Sequence, residues 1–310
     1  MRPGIKVYAP ASVGNAAVGF DALGFAIEKP GDEIIARISD KPGLRITKIT
    51  GAKGKLPYEV EKNTAGLAAL RLLQHLGEEK MGIEMELHKK LPIGSGLGSS
   101  AASAVAGAFA INELLKRPLE KRDLLPFALQ GEALASGGIH ADNVAPCLLG
   151  GMILTRQNVP LDVVRVPVPR GLYAAVINPA VEVLTKDARN ILSDTVPLKK
   201  MIQQNANLGA FIIGMFNTDI ELIGRSLQDV VIEPQRAQLI PHFYEVKEAA
   251  LSAGALGCSI SGAGPSIFTL NANSLIAEKV GEAMQKVFNG HKIESQLYIS
   301  KINTEGAIKY

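Results

Sequence analysis

A short loop with three glycines and three serines is the first place where the residue types suggest chemistry, and it is followed by an alanine-rich segment. Glycines let the backbone approach a ligand closely, and the first turn of a helix offers unpaired N–H groups that bind anions. A di- or triphosphate is the anion that best matches such a loop. The same pattern also fits a loop that needs glycines only for turning. The loop and its flanks read Pro92, Ile93, Gly94, Ser95, Gly96, Leu97, Gly98, Ser99, Ser100, Ala101 and Ala102.

Two better-known phosphate motifs do not fit this sequence. No stretch reads G-x-x-x-x-G-K-[ST], so a P-loop is not indicated. In the loop itself, Ser99 stands where a dinucleotide-binding fingerprint would have its third glycine. This disfavours a Rossmann oxidoreductase.

Acidic and polar residues downstream of the loop could serve a phosphate reaction. Phosphoryl transfer needs Mg²⁺ to neutralise charge, and Mg²⁺ takes one or two carboxylates. Glu132 follows on the next predicted helix among small apolar residues, where it is either a metal ligand or part of a solvated face. The cluster His140-Ala141-Asp142-Asn143 is either a substrate contact or an ordinary Asp/Asn turn.

The elements that must position these residues mix strands and helices without strict alternation, which predicts an α+β fold. Asn63 as an N-terminal cap and Gly77 as a C-terminal stop predict a helix between them. Apolar and polar residues alternate from Ile83 to Leu87, which predicts a strand. The Pro- and Val-rich stretch 159–169 predicts a boundary between two halves of the chain. We therefore place the two domains at 1–160 and 161–310. The remaining predicted elements are strands at 5–9 (ending at Pro10), 32–39, 152–155, 172–177 and 296–302, two strands flanking 261–265, helices near 99–116, 122–136, 186–192, 198–216, 219–228, 242–252 and 275–288, and a loop at 137–143.

Composition narrows the class of protein. The 310 residues carry a net charge of +3, with 47% hydrophobic, 20% charged and 5% aromatic residues, and 31 glycines. Such values are typical of a globular chain and exclude a disordered one. Neither a basic run nor an aromatic platform indicates nucleic-acid binding. Cys147 and Cys258 lack metal-ligand spacing, and with no signal-peptide pattern and no apolar stretch of membrane-spanning length, we expect a cytoplasmic protein.

Three motifs, in this order along the chain, resemble those of the GHMP small-molecule kinases. They are 6–24, with Pro10-Ala11-Ser12 and Gly19-Phe20-Asp21, then 92–101, then Gly257 to Phe268 around Ser261-Gly262-Ala263-Gly264-Pro265. The resemblance implies a two-domain fold, with a first domain like the second domain of ribosomal protein S5 and a ferredoxin-like second domain. It also implies ATP and Mg²⁺ as reactants and a homodimer.

Further segments narrow the resemblance to members that phosphorylate the hydroxyl of L-homoserine: Gly19-Phe20-Asp21, 140–147, Ala188-Arg189 and 233–236. The resemblance implies that 92–102 wraps the triphosphate, that Ser100 and Glu132 hold Mg²⁺, and that Asn63 lies near the adenine. It implies that Thr185 lies near the γ-phosphate and that Asn15, Asp142 and Arg189 take part with it in the transfer. The residues that would line the homoserine site are Asn15, Asp21, His140, Asp142, Arg189 and Arg236.

These assignments agree with the chemistry of a zwitterion. A carboxylate favours the fork of Arg189 or Arg236, and an ammonium favours Asp21. Asp142 is either a general base or a residue that positions the substrate, and we favour positioning because a loose transition state needs little base assistance. Two alternatives remain. One is a related kinase for mevalonate or shikimate, which lack the amine, and the other is a non-catalytic nucleotide sensor, which an intact Ser100 and Glu132 disfavour.

Overall fold

The computed structural model describes residues 4–138 and 140–310, and it has the expected α+β architecture. Ile139, part of the predicted loop at 137–143, lies outside the described residues. The elements of the first half of the chain, in order, are β1 (Gly4–Gly14), β2 (Leu23–Ile38), β3 (Leu44–Thr50), α1 (Thr64–Leu76), β4 (Ile83–His88), α2 (Ser99–Leu114), α3 (Leu125–Ser136), α4 (Ala141–Leu149), β5 (Met152–Asn158) and β6 (Leu161–Val166).

The second half of the chain contributes a further strand to the first half's sheet and builds a sheet of its own. Its elements, in order, are β7 (Tyr173–Pro179), α5 (Thr185–Asn190), α6 (Leu198–Asn217), α7 (Ile220–Ser226), α8 (Glu233–Arg236), α9 (Phe243–Ser252), β8 (Gly257–Ile260), β9 (Ile267–Asn271), α10 (Ser274–Gly290), β10 (Ser295–Lys301) and β11 (Ile308–Lys309). Short 3₁₀ turns precede α1 and α3 and follow α8.

The first sheet has seven strands in the order β11-β1-β2-β4-β3, with β5 and β6 attached through β2. The sixteen-residue strand β2 organises it, because its start pairs with β5 and its end pairs with β4 while β1 runs along both parts. Helix α2 packs against this sheet and is buried on almost every side. Its small alanines allow α1, α3 and α4 to pack around it, which is how a helix without a polar face becomes a core element.

The second sheet confirms the ferredoxin-like prediction. Its strand order is β10-β7-β9-β8 with antiparallel neighbours, which is the 4-1-3-2 order of a split βαβ unit. Helices α5 to α9 fill the first crossover, between β7 and β8, and α10 fills the second. The long first crossover matters for the site because it carries Thr185, Arg189 and Arg236.

The strand pairing shows how the two sheets divide the chain. Strand β6 pairs with β5 and so belongs to the first sheet, as does β11, which pairs with β1. We therefore propose a seam at 167–172, with 308–309 returning to the first domain, in place of a single cut between 160 and 161.

Two local predictions were wrong. Strand β1 does not end at Pro10 but continues to Gly14, because a register shift between Pro10 and Ser12 accommodates a residue without an N–H donor. The segment after Gly138 is not a loop as far as Asn143, because α4 begins at Ala141 and places Asp142 and Asn143 in its first turn.

Of the helices within 4–138 and 140–310, none has the length and apolar character needed to cross a membrane. Both cysteines are buried and free.

Candidate active site

A cleft of about 490 Å³ brings together most of the residues singled out from the sequence. Both halves of the chain contribute to its walls. The predicted residues that line it are Asn15, Asp21, Ile93, Gly94, Ser95, Gly96, Gly98, Ser99, Ser100, Glu132, His140, Asp142, Thr185, Arg189 and Arg236. The other predicted residues, Asn63, Pro92, Leu97, Ala101 and Ala102, lie beside this lining.

The glycine loop forms one end of the cleft and leads directly into α2. Gly94, Gly96 and Gly98 all have positive φ, between 64 and 75°. At Gly96 the need for glycine is also spatial, because a Cβ would lie 2.5 Å from the carbonyl oxygen of Ser261. The loop thus has the backbone shape of an anion cradle, with the N-terminal N–H groups of the sixteen-residue helix α2 behind it.

The third motif fixes this loop from the second domain. The Ser261 hydroxyl donates to the Gly96 carbonyl at 2.7 Å, and the Ser266 N–H donates to the Ser95 carbonyl at 3.2 Å. The Gly262 N–H donates to the Gly14 carbonyl at 3.1 Å. Segment 261–266 therefore joins the phosphate loop and the end of β1, while Gly262 and Ala263 line the cleft.

A buried ion pair that the sequence analysis missed anchors both ends of the loop. Lys89 and Asp32 contact each other with side chains 2% and 0% exposed. The Lys89 Nζ also donates to the Ser99 carbonyl at 2.8 Å, and Asp32 accepts from the Leu91 N–H at 3.2 Å. Because Leu91 and Ser99 lie at the two ends of the loop, the Lys89–Asp32 pair fixes the distance between those ends. Alternation places both on the inner face of the sheet, because Asp32 is in phase with the buried Ile34 and Lys89 with the buried Leu87. A charged residue at an inward position of each strand was therefore the signal in the sequence.

Ser100 and Glu132 form the pair that we expect to hold a metal ion. The Ser100 hydroxyl on α2 donates to Glu132 Oε1 on α3 at 2.9 Å. Burial, with a further contribution from the nearby charge of Asp142, raises the pKa of Glu132 to about 7. A buried carboxylate beside a hydroxyl and a phosphate cradle is a hard-oxygen donor set, which fits Mg²⁺. The solvated-face alternative for Glu132 is wrong, since the residue is 8% exposed.

Another part of the cleft wall carries paired opposite charges. Arg189 donates from both terminal nitrogens to Asp21, at 2.9 and 3.1 Å. This bidentate hydrogen bond raises the pKa of Arg189. Arg236 is almost fully buried, and its guanidinium donates to the carbonyls of Ala188 and Gly262 at 2.8 and 3.0 Å. Burial, together with the positive charge of Arg189, lowers the pKa of Arg236 to about 10.

The ring of Phe20 lies under both arginines. The guanidinium carbons of Arg189 and Arg236 are 5.6 and 5.0 Å from its centroid. Cation–π contacts of this kind help to hold two like charges side by side. Phe20 belongs to a motif noted in the sequence, but nothing in the sequence assigned it this position.

A strained turn after β1 places Asn15 at the centre of the site. Residues 15, 16 and 17 all have left-handed φ values, of 67, 38 and 62°, and none is glycine. The Asn15 side chain donates to the Gly262 carbonyl at 2.8 Å and accepts from the Asp21 N–H at 3.1 Å. It thus connects the two domains and holds the start of the Asp21 loop.

Asp142 enters the site through a close approach of α4 to the first sheet. A Cβ on Gly24 would lie 1.8 Å from the Asp142 carbonyl, so only glycine allows this contact. The Asp142 carboxylate accepts from the Asn15 N–H at 3.1 Å, and among the described residues its Oδ1 has no hydrogen-bond partner. Burial, followed by the negative charge of Asp21, raises the pKa of Asp142 to about 7.

The remaining predicted residues have clear positions. His140 Nδ1 is 3.7 Å from Asp21, and burial lowers the pKa of His140. Thr185 is exposed at the start of α5. Asn63 caps α1 by accepting from the N–H groups of Ala65 and Gly66, so its carboxamide oxygen is already engaged, and its neighbour Thr64 reaches the cleft. Leu97, Ala101 and Ala102 pack in the core, and Pro92 is half-buried.

Two sequence profiles match the chain and define its class. "GHMP kinases N terminal domain" matches residues 63–151, which contain the phosphate loop, Ser100 and Glu132. "GHMP kinases C terminal" matches residues 211–290, which contain Arg236 and the 261–266 segment. The chain belongs to the GHMP kinases.

Individual relatives narrow the family further. Homoserine kinase of Chlorobium phaeobacteroides is 47% identical, with 97% of each chain covered. The crystal structure of homoserine kinase from Cytophaga hutchinsonii shares 55% identity at a TM-score of 0.97, covering 100% of this chain and 98% of the other. Within the GHMP kinases, the chain belongs to the homoserine kinase family.

Mevalonate kinases share the architecture at greater distance. The L. major mevalonate kinase structure, in complex with R-mevalonate, matches at a TM-score of 0.74 with 18% identity over 96% of each chain. That similarity shows a common fold only.

Proposed function

We propose that this protein transfers the γ-phosphoryl group of ATP to the side-chain hydroxyl of L-homoserine, giving O-phospho-L-homoserine and ADP in threonine biosynthesis. The observation that carries the proposal is the bidentate Arg189–Asp21 pair in the same cleft as the Ser100–Glu132 pair and the phosphate loop. One end of the cleft offers both charges that a free amino acid requires. The other end offers an anion cradle with a candidate metal position.

The charge pattern supports a zwitterionic acceptor in particular. Arg236 stands beside Arg189 with its charge buried, which favours a carboxylate between the two guanidinium groups. Asp21 is already paired with Arg189. A zwitterion would bind this pair with its ammonium group at Asp21 and its carboxylate at Arg189, so that neither charge lacks an opposite partner. An acceptor without an amine would leave Asp21 without a cationic ligand partner.

A substrate series with coupled ADP detection tests the function. We expect 4-hydroxybutyrate, which is homoserine without its amine, to react with a kcat/KM roughly 10²-fold lower, because the charged contact between the substrate ammonium and Asp21 would be lost. Mevalonate and shikimate should react as poorly. Comparable rates for 4-hydroxybutyrate or mevalonate would contradict amine recognition, and ATP binding without ADP formation from any acceptor would favour a nucleotide sensor.

For the transfer step, we propose that the chain acts by positioning the reactants. Residues 92–102 would hold the triphosphate, and Ser100 and Glu132 would hold Mg²⁺, which when bound neutralises charge on the phosphate oxygens. Asn15 would orient the acceptor hydroxyl, and Thr185 would contact the γ-phosphate. The hydroxyl oxygen would then attack the γ-phosphorus in line while the bond from this phosphorus to the β,γ-bridging oxygen breaks and ADP leaves. The hydroxyl proton would pass to the transferred phosphoryl group.

For Asp142, we propose a positioning role. Its Oδ2 accepts from the Asn15 N–H, so this buried carboxylate holds the Asn15 turn in the position from which the Asn15 side chain would meet the substrate. We expect Asp142→Asn to raise the homoserine KM by about 100-fold while kcat falls by less than about tenfold, a loss that matches one charged contact. Steady-state kinetics measure both. A kcat loss of several orders of magnitude would assign Asp142 as the general base.

The stability of the same variant should depend on pH. The raised pKa of Asp142 means that the folded state keeps a proton that the unfolded state has lost. Its contribution to stability is therefore complete below about pH 4 and disappears as the pH rises through about 7. The asparagine in the variant carries no charge, so the melting temperature of Asp142→Asn relative to the unaltered protein should rise between pH 5 and pH 8. A constant difference would contradict the buried titration.

We further propose that the protein forms a homodimer through α6. One face of this helix carries Ile202, Ala206, Gly209, Ile213 and Phe216, all exposed and spaced four and three residues apart. This is the spacing of a helix–helix seam, and the small residues at its middle allow close approach of a second copy. Light scattering tests it, since a monomer has a mass of 32.8 kDa. We place the protein in the cytoplasm, where ATP is available.

A further inference from the structure

Outside the cleft, two histidines and a glutamate meet on the surface of the second domain. His242 precedes α9, Glu245 lies in the first turn of α9, and His291 follows α10. The chain has only five histidines, and these two lie far apart in the sequence. Their imidazole rings nevertheless stack with centroids 3.4 Å apart and planes within 11°.

The three side chains bring metal-binding atoms close together, and the stacked rings would turn to point both imidazole nitrogens at one ion. His242 Nδ1 is 2.7 Å from Glu245 Oε1, and His291 Nε2 is 2.9 Å from Glu245 Oε2. One ligand atom from each residue can be chosen so that all lie within 4.8 Å of one another. The side chains are 31, 57 and 37% exposed, so an ion and its water ligands can reach them.

We propose that His242, Glu245 and His291 bind a divalent transition metal ion of the Zn²⁺ type. Two imidazole nitrogens and one carboxylate oxygen are a donor set that zinc takes in proteins, with water completing the tetrahedron. Zinc–ligand bonds of about 2.1 Å separate neighbouring donors by roughly 3.4 Å. The two hydrogen-bonded pairs, at 2.7 and 2.9 Å, therefore need to open by roughly 0.5–0.7 Å, and the rings need to rotate out of their stacked arrangement, as the metal replaces the proton that each histidine shares with Glu245.

A metal at this point would join the start of α9 to the end of α10. These helices pack against each other and cover one face of the second sheet. The ion would thus act as a structural strap, distant in the sequence from the phosphate-loop residues and separate from the Ser100–Glu132 position. Imidazole ligands also favour zinc over Mg²⁺, so the two positions differ in the ion they select.

Calorimetric titration with Zn²⁺ alone tests the proposal on the full chain. We expect one zinc equivalent to bind to the unaltered protein, and His242→Ala and His291→Ala each to weaken it at least about tenfold. Two matched controls should leave that equivalent unchanged. They are His75→Ala, an exposed histidine on α1, and Glu132→Gln in the cleft.

A second readout does not depend on affinity alone. Addition of Zn²⁺ should shift the ring-proton NMR signals of His242 and His291 but not that of His75, and should raise the melting temperature of the unaltered protein more than that of His291→Ala. The absence of a zinc equivalent, or one that survives both histidine substitutions, would overturn the proposal and reduce the cluster to a surface ion pair.

Discussion

Replacing Glu132 by glutamine is expected to lower kcat/KM by about three orders of magnitude while the fold is retained. Glutamine keeps an oxygen that can accept from Ser100 but removes the carboxylate that we expect to hold Mg²⁺. Losing one preorganised charge contact at a transferring phosphoryl group costs about 10²- to 10³-fold or more. The remaining activity should require much higher Mg²⁺, which a Mg²⁺ titration of the rate measures.

Glu113→Gln is the matched control for this substitution. Glu113 is also a buried glutamate, 5% exposed, but it lies near the end of α2 and pairs with Arg117 at 2.7 Å. Its loss should change stability and leave the Mg²⁺ requirement unchanged. If Glu132→Gln turned over ATP at the unaltered rate, the Ser100–Glu132 pair would not be the metal position, and the case for catalysis on this pair would fail.

Replacing Arg189 by methionine should lower kcat/KM for homoserine by about 10³-fold, mostly through KM. The change removes the fork that pairs with Asp21 and leaves that carboxylate without its partner. Two hydrogen bonds from Arg189 to the homoserine carboxylate, each to a charged group and worth about 1.5–3 kcal/mol, would account for this loss. The kcat/KM of Arg189→Lys should lie between those of the unaltered protein and Arg189→Met. A lysine keeps the positive charge but cannot bond to a carboxylate with two parallel N–H groups.

The ATP KM separates a recognition role from a structural one. Arg189 directs its two terminal nitrogens to Asp21, so the ATP KM of Arg189→Met should remain within about twofold. Arg117→Met, at an exposed arginine that also pairs with a glutamate, controls for the lost charge. Equal losses for ATP and homoserine would indicate that the substitution distorts the cleft, and the proposed carboxylate contact would be wrong.

The features that sequence could predict are those encoded by neighbouring residues. The bounds of α1 follow from Asn63, whose side chain caps the first turn, and from Gly77, which takes the left-handed conformation at its end. The alternation of Ile83, Met85 and Leu87 likewise matches their burial in β4. The glycine loop could be recognised in the sequence because its glycines, its serines and the helix after it are consecutive.

The features that sequence could not predict depend on residues far apart in the chain. Alternation marks Asp32 and Lys89 as inward-facing, but only the pairing of β2 with β4 shows that the two charges meet each other. The segment around Asp142 has the composition of a turn, and its burial requires the space that Gly24 leaves on another strand. The roles proposed for Asn63 and Thr185 stay predictions, since they depend on how a nucleotide lies in the cleft.

The closure of the first sheet by β11 has a consequence for how the protein is made. Strand β1 has β2 on one side and β11 on the other, where Tyr8 pairs with Ile308. A ribosome adds about 5–20 residues per second, so roughly 15–60 s separate the synthesis of β1 from that of its partner. During this interval, one edge of β1 has no strand beside it and is open to other nascent chains. This edge should be covered only after residues 308–309 have left the exit tunnel.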